Sequence, residues 1–360
     1  QRFPMTILDD ILIAEATADP DGRLTFARVM ELALYHPEHG YYGPAPRRIG
    51  RAGDFFTAVS AGQLYGRLLA GLAERTWNEM GKPGEFCIIE QGAHDGQLAH
   101  DMLSACGLPL RIVEPNPRYQ AAQHARLADF QDRVSWTDSL GELPPCPALF
   151  VCNELPDAMP VHLLRFESGE WRELHVAWEG GRAIFKSGPL SSGRLRGEAA
   201  RLPVNLPEGH MMEIGLAALD WMEALARSAI HGRIFIADYG LDEEEFFSPE
   251  RAGGTLRRYH SHQSDDRVLE DLGRCDLTAH VNFTRLAETA ASRGLSTLAY
   301  EHQGRFLGRL GMNWLRSLDG APPDAATQAL LRQYHTLTHP AFLGRSFRVL
   351  LLEKPRQLAS

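Results

Sequence analysis

The chain has 360 residues, 44% of them hydrophobic and 23% charged, and a formal net charge of −9 with pI near 5.9. That composition is ordinary for a globular protein, excludes a basic nucleic-acid footprint and is compatible with a basic substrate. The five cysteines (Cys87, Cys106, Cys146, Cys152, Cys275) form no C-x-x-C pair, which predicts reduced core thiols and neither a disulfide framework nor a zinc site. No apolar run reaches about 18 residues and no basic-then-apolar leader opens the chain, so the expected location is cytoplasmic.

Apolar stripes predict two helices within residues 5–35, broken by the Asp19-Pro-Asp-Gly22 turn. His36-Pro-Glu-His-Gly-Tyr-Tyr-Gly43 ends the second, and residues 44–58 form a Gly-, Pro- and Arg-rich loop whose length and charge suit a ligand-facing role. A further amphipathic helix runs from Leu64 to Met80. Next comes an alternation of strands and helices. The strands are Phe86 to Ile89, Leu110 to Glu114, Val134 to Trp136, Ala148 to Cys152, Arg233 to Ala237 and, at the C-terminus, Phe347 to Leu352. Such alternation predicts an α/β fold with a doubly wound parallel sheet.

Two insertions interrupt it. Residues 161–187 alternate apolar and polar around Ser168-Gly169 and Gly180-Gly181, which predicts an antiparallel meander. Residues 241–345 are expected to form a helical cap, with helices near 282–293, 302–318 and 323–337. The expected organisation is therefore an N-terminal helical segment over 1–80, a core over 81–240 and 346–355, and a substrate subdomain over 241–345.

The chemistry centres on Phe86-Cys-Ile-Ile-Glu-Gln-Gly-Ala-His-Asp-Gly96. A strand, a glycine turn and a helix place a ligand at the carboxyl ends of the strands. A turn for a pyrophosphate should be free of anions, yet Glu90 ends the strand, Asp95 lies in the turn, and His94 stands where G-x-G-x-x-G has its middle glycine. Two carboxylates suit a ligand bearing an ammonium and a sulfonium, and S-adenosyl-L-methionine (SAM) is such a ligand. Glu114, ending the second strand, can accept both ribose hydroxyls. Asp138-Ser139 follows the third strand and is either an adenine contact or a plain helix cap. Asn153-Glu-Leu-Pro-Asp157 ends the fourth strand, where carboxylates can orient a cationic nitrogen or accept its proton. His260, His262 and His280 lack a metal-ligand spacing; His280 is the best candidate for a histidine in a substrate pocket.

Several strings then coincide with one family. Tyr-His-Pro-Glu-His-Gly-Tyr-Tyr with Gly-Arg-Ala-Gly-Asp-Phe-Phe-Thr (35–57), the turn at 90–96, Asn-Glu-Leu-Pro-Asp-Ala-Met-Pro-Val (153–161), Ala-Asp-Tyr-Gly (237–240), residues 254–259 and Asp-Leu-Thr-Ala-His-Val-Asn-Phe-Thr (276–284) resemble the MidA family of SAM-dependent methyltransferases. That family includes the mitochondrial complex I assembly factor that methylates arginine.

The resemblance implies a class I methyltransferase fold, with an inserted meander and a helical cap, and SAM as cofactor. It implies cofactor binding by Gly53, Asp54, Glu90, Gly92, Gly96, Glu114, Asp138, Ser139 and Asn153, with Glu154 and Asp157 as catalytic residues facing the methyl group; Ala93, His94 and Pro115 are expected beside the cofactor, and His280 is the expected catalytic histidine. The expected reaction is N-methylation of a protein arginine. The alternatives are O-methylation of a small molecule, with His280 or His260 as base, and a non-catalytic SAM-binding assembly factor. Expected partners are a protein substrate or small-molecule methyl acceptor, without nucleic acid or membrane; the meander is either a pocket cap or a homodimer edge. The sequence departs from the family pattern at Gln91, His94 and Asp95. It also has Thr57-Ala-Val-Ser60 in place of Thr-Ser-Pro-Glu, and Asn282 in place of Asp.

Overall fold

The structure, a computed structural model, describes residues 6–44, 57–260, 263–318 and 324–356. The described chain divides into two compact units, each assembled from three segments: 6–44, 156–221 and 241–286 in one, and 57–155, 222–240 and 287–356 in the other.

The second unit contains a sheet built from β1 (Cys87–Gln91), β2 (Leu110–Val113), β3 (Val134–Thr137), β4 (Pro147–Asn153), β5 (His231–Leu241), β6 (Ser296–His302) and β7 (Phe347–Lys354). Their order is β6-β7-β5-β4-β1-β2-β3. Pairings from β5 through β3 are parallel, whereas β7 runs antiparallel to both β5 and β6. This is the expected doubly wound sheet, with one strand reversed. All seven residues of β4 are buried, as befits a central strand covered on both faces. One face carries Ile88, Ile112, Leu149, Val151, Phe235, Val349 and Leu351. It packs against α1 (Leu64–Glu79) through Leu68, Leu69 and Leu72, and against α2 (Gln97–Ala105) through Leu98 and Met102. The next helix, α3 (Pro117–Arg126), starts with Pro at its first position and Asn116 as its cap. It lies between β2 and β3.

The first unit holds the meander. Strands His162–Glu167, Glu170–Glu179 and Arg182–Gly188 pair antiparallel. Both hairpins turn on residues of positive φ, Ser168-Gly169 (52° and 86°) and Gly180-Gly181 (56° and 73°), the geometry that matches the strand twist. The helices Ile7–Ala18 and Phe26–Tyr35 place Leu8, Leu12, Phe26, Val29, Met30 and Leu34 against Leu163, Leu174 and Val176 of this sheet.

The chain is divided differently from the sequence expectation. The meander interrupts the core unit's sequence between residues 155 and 222, as expected, but it shares a unit with the N-terminal helices, whose apolar stripes are buried on its face. The stretch expected as one helical cap splits. Residues 241–286 join the meander unit and include a small antiparallel sheet of Arg257–His260, Gln263–Asp265 and Asp276–Thr278. Residues 287–356 complete the main sheet. The helical stretch expected near 302–318 is present as Gln303–Leu310 and Met312–Arg316, broken at Gly311, but it is preceded by a strand the sequence did not suggest, β6. Its first three residues are exposed and it bulges between Thr297 and Ala299, so it lacks the apolar alternation of a half-buried strand.

Candidate cofactor and active site

In the second unit the carboxyl ends of β1, β2 and β4 bring together most of the expected residues. Glu90, near the end of β1, is 2% exposed, and its Oε2 has no hydrogen-bond partner among the described residues. Burial first, then the nearby Asp95 and Asp101, push its carboxyl up to about 8. A buried, unsatisfied carboxyl of this kind is costly on its own and fits a bound cation such as the ammonium of SAM. The turn that follows has left-handed backbone at Gly92 (φ +82°), His94 (φ +48°) and Gly96 (φ +87°). A Cβ on Gly92 would stand 3.2 Å from Leu155 Cβ. Glycine carries such angles without cost, whereas at His94 they disfavour an L side chain. Ala93 is buried behind the turn, and its carbonyl accepts the Gly96 N–H at 2.7 Å.

Asp95 does not face a ligand as an open anion. Burial raises its pKa, but His94 and Arg126 outweigh that and hold the carboxyl below its usual range. Arg126 pairs with Asp95 Oδ2 at 2.5 Å. The charge argument for a cationic ligand therefore rests on Glu90 alone.

Glu114 is buried at the end of β2, and burial raises its pKa. Its Oε1 accepts the Asn116 N–H at 2.9 Å and its Oε2 the Gln123 amide at 3.3 Å. Pro115 is exposed beside it. Asp138 and Ser139 are exposed after β3. Asp138 Oδ1 accepts from Gln120 Nε2 at 2.9 Å, while its N–H donates to Glu142 Oε2 at 3.1 Å and Ser139 Oγ donates to Glu142 Oε1 at 3.2 Å.

At the end of β4, Asn153 is buried and accepts the Tyr65 hydroxyl at 2.7 Å. Its amide donates to Glu154 Oε1 at 3.0 Å, which also accepts the Ala58 N–H at 3.2 Å. Glu154 adopts φ +53° and donates its N–H to Ala237 O on β5 at 2.9 Å. A bulky residue in that conformation is held by its surroundings. Here the holders are β5, Asn153 and Ala58. Gly53 and Asp54 themselves lie outside the described residues, as does His262. Ser60 and Thr57 exchange side-chain to backbone hydrogen bonds of 2.8 and 3.0 Å, so Ser60 ties the chain where the family pattern has Pro and Glu.

Asp157 and His280 belong to the first unit. Asp157 is buried, and its carbonyl accepts the Ala279 N–H at 2.9 Å, next to His280. The His280 N–H donates to Thr255 Oγ1 at 3.0 Å, and that hydroxyl donates to the buried Glu213 at 3.0 Å. Burial, with Arg251 and Arg257 nearby, pushes His280 down to about 4. Two of the family strings meet here, with the Tyr42 hydroxyl donating to buried Asp276 at 2.8 Å. His260 is exposed at the end of its strand.

Sequence reasoning missed Tyr65, Gln123 and Glu142. Tyr65 and Gln123 sit on helices and read as core or solvated positions, since nothing in a helical period says where a polar tip will find its partner.

A family model described as "Putative S-adenosyl-L-methionine-dependent methyltransferase" matches residues 68–301. The chain is 27% identical to the mitochondrial protein arginine methyltransferase NDUFAF7 of Mus musculus, over 92% of this chain and 81% of that one. It is 28% identical to the Drosophila melanogaster homologue, over 92% and 82%. A crystal structure of a Burkholderia thailandensis protein bound to S-adenosyl-homocysteine (SAH) superposes with a TM-score of 0.86 at 27% identity, covering 100% of this chain and 97% of that one. With the reversed strand β7, the glycine turn and the buried acids at the strand ends, these matches establish a SAM-dependent enzyme: the chain belongs to the MidA family of class I SAM-dependent methyltransferases.

Proposed function

We propose that the protein methylates a guanidinium nitrogen of an arginine in a protein substrate. The observation that carries this is Glu154. It is a half-buried carboxylate held in left-handed backbone at the end of the central strand, its Oε1 accepting from the Asn153 amide and the Ala58 N–H. A carboxylate so fixed suits the planar fork of a guanidinium. The names of the relatives point the same way.

In this proposal SAM supplies the electrophilic methyl group. The nitrogen lone pair forms the new N–C bond as the C–S bond breaks with its electrons on sulfur, leaving SAH. Glu154 orients the guanidinium and takes the proton that nitrogen sheds. Glu90 faces the ammonium, with Gly92, Ala93, His94 and Gly96 around the methionine part. Glu114 and Pro115 face the ribose, Asp138 and Ser139 the adenine, and Asn153 fixes Glu154. The family resemblance adds Gly53 and Asp54 as cofactor residues. The rate gain comes from alignment of nucleophile and methyl group. His280 is a poor proton acceptor at neutral pH, since a base works best with a pKa near the operating pH; this weighs against O-methylation through His280. Among the described residues no helix is long and apolar enough to cross a membrane.

Incubation with methyl-labelled SAM and cell lysate, followed by acid hydrolysis, tests the proposal. Label recovered as methylarginine is expected; label confined to small molecules or to alkali-labile esters would sink it. Glu154→Gln should retain SAM binding and lose transfer by about 10²-fold or more.

A further inference from the structure

The cofactor turn contains a conformational cost that another element offsets. His94 sits at φ +48°, where a glycine would rest without strain. One face of helix α3 meets it. Tyr119, Gln123 and Arg126 are spaced i, i+4 and i+7, so they line one side of the helix. The Tyr119 ring stands edge-on to the His94 ring at 5.6 Å between centroids. Gln123, wholly buried, donates through Nε2 to the His94 carbonyl at 2.8 Å. Arg126 donates through Nε to the Asp95 carbonyl at 3.0 Å and through a terminal nitrogen to Asp95 Oδ2 at 2.5 Å. Three consecutive side chains of the face thus grip two consecutive residues of the turn.

Gln123 reaches further. The same Nε2 lies 3.3 Å from Glu114 Oε2, and its Oε1 accepts the Trp136 indole N–H of β3 at 2.9 Å. A single carboxamide therefore joins the glycine turn after β1, the acid at the end of β2 and the strand β3. Both carboxamide atoms are used, so the amide can turn neither way without breaking a buried bond. The Gly96 Cα faces it as well, with room for a Cβ at 3.5 Å from Gln123 Cα.

We propose that α3 is a clamp that holds the His94-Asp95 peptides in the conformation that accepts the cofactor, and that Gln123 is its central positioning residue. Gln123 touches no reacting atom. It sets the distance between the turn and Glu114, the two ends that a nucleoside-bearing ligand must span. The inference rests on assignment of the cofactor to this turn.

Binding of SAH, measured by calorimetry alongside the unfolding midpoint of the free protein, tests the clamp in a mutant cycle. Gln123→Met removes both donor bonds at nearly constant volume, and the dissociation constant should rise about tenfold, two bonds' worth. His94→Gly removes the strain, so the turn no longer needs holding. The double variant should return to within about threefold of His94→Gly alone, a coupling that a merely destabilised core would not show. Arg126→Met, a partly exposed position, runs the same cycle if Gln123→Met does not fold. Additive losses in both cycles, or Gln123→Met and Arg126→Met binding like wild type, would overturn the clamp. Gly92→Ala separates the two levels: unimpaired binding there would remove the turn as the cofactor site. Impaired Gly92→Ala without coupling would remove the clamp alone.

Discussion

If Glu90 is the partner of the ligand's ammonium, the protein must lose a proton when SAM binds. Burial and two neighbouring carboxylates push the Glu90 carboxyl up to about 8, so at neutral pH the free protein holds it neutral. An ammonium beside it favours the ionised form. Below about pH 8, binding then requires ionisation, and the apparent affinity falls by close to tenfold, about 1.4 kcal/mol, for each pH unit lost. Between about pH 7 and pH 6 the dissociation constant should rise roughly ninefold, and about 0.9 proton should be released per ligand at pH 7. The ligand's α-amino group, with a pKa of roughly 7.7–8.0, stays charged over that range. Calorimetry of SAM in buffers of different ionisation enthalpy reads the released proton directly. Glu90→Gln cannot ionise, so it should bind more weakly and lose both the slope and the proton release. The free protein gives a second check. Its folded state keeps the Glu90 proton up to about pH 8, whereas the unfolded chain releases it near 4.5. Stability from this group is therefore lost as pH rises through that window, and Glu90→Gln should flatten the fall. An unchanged pH slope in Glu90→Gln, or wild-type binding without proton release, refutes the assignment.

Other perturbations have equally definite outcomes. Tyr65→Phe removes the buried hydroxyl that Asn153 accepts and should cost about 1–3 kcal/mol in urea unfolding, with a drop in transfer rate through Glu154; unchanged stability would mean the bond is not made. Gly254→Ala adds a Cβ 2.3 Å from Glu213 Oε1 at φ +69° and should destabilise by more than about 1 kcal/mol, read by the same unfolding curve. His280, down at about 4, stays neutral from about pH 6 to 9. His280→Gln should therefore leave the shape of the pH–rate profile unchanged there, and a lost limb would reinstate it as a proton acceptor.

The central sheet was legible because β1, β4 and β5 are near-continuous apolar runs ending in acids, a pattern few other arrangements share. β6 was not, because an exposed, bulged edge strand carries little hydrophobic signal. The grouping of the meander with the first helices was equally hidden, since periodicity says which face is buried and not against what. At the site, Glu90, Glu114 and Asn153-Glu154 could be located because strand ends are marked by turn residues. The pairing of Asp95 with Arg126 depends on a helix returning beside the turn, contact information that a linear sequence does not print.

The Tyr42–Asp276 hydrogen bond joins residues 234 positions apart, and β7, at residues 347–354, pairs with β5 along Tyr239 to Gly232. For a chain made from its N-terminus, this sets an order of completion. When the cofactor turn has left the ribosome, β5 still lacks its β7 neighbour, and the Tyr42 hydroxyl still lacks Asp276. Each unit is completed only by its last segment, 241–286 in one and 287–356 in the other, so nascent chains stopped before residue 347 should present an open β5 edge to chaperones and proteases.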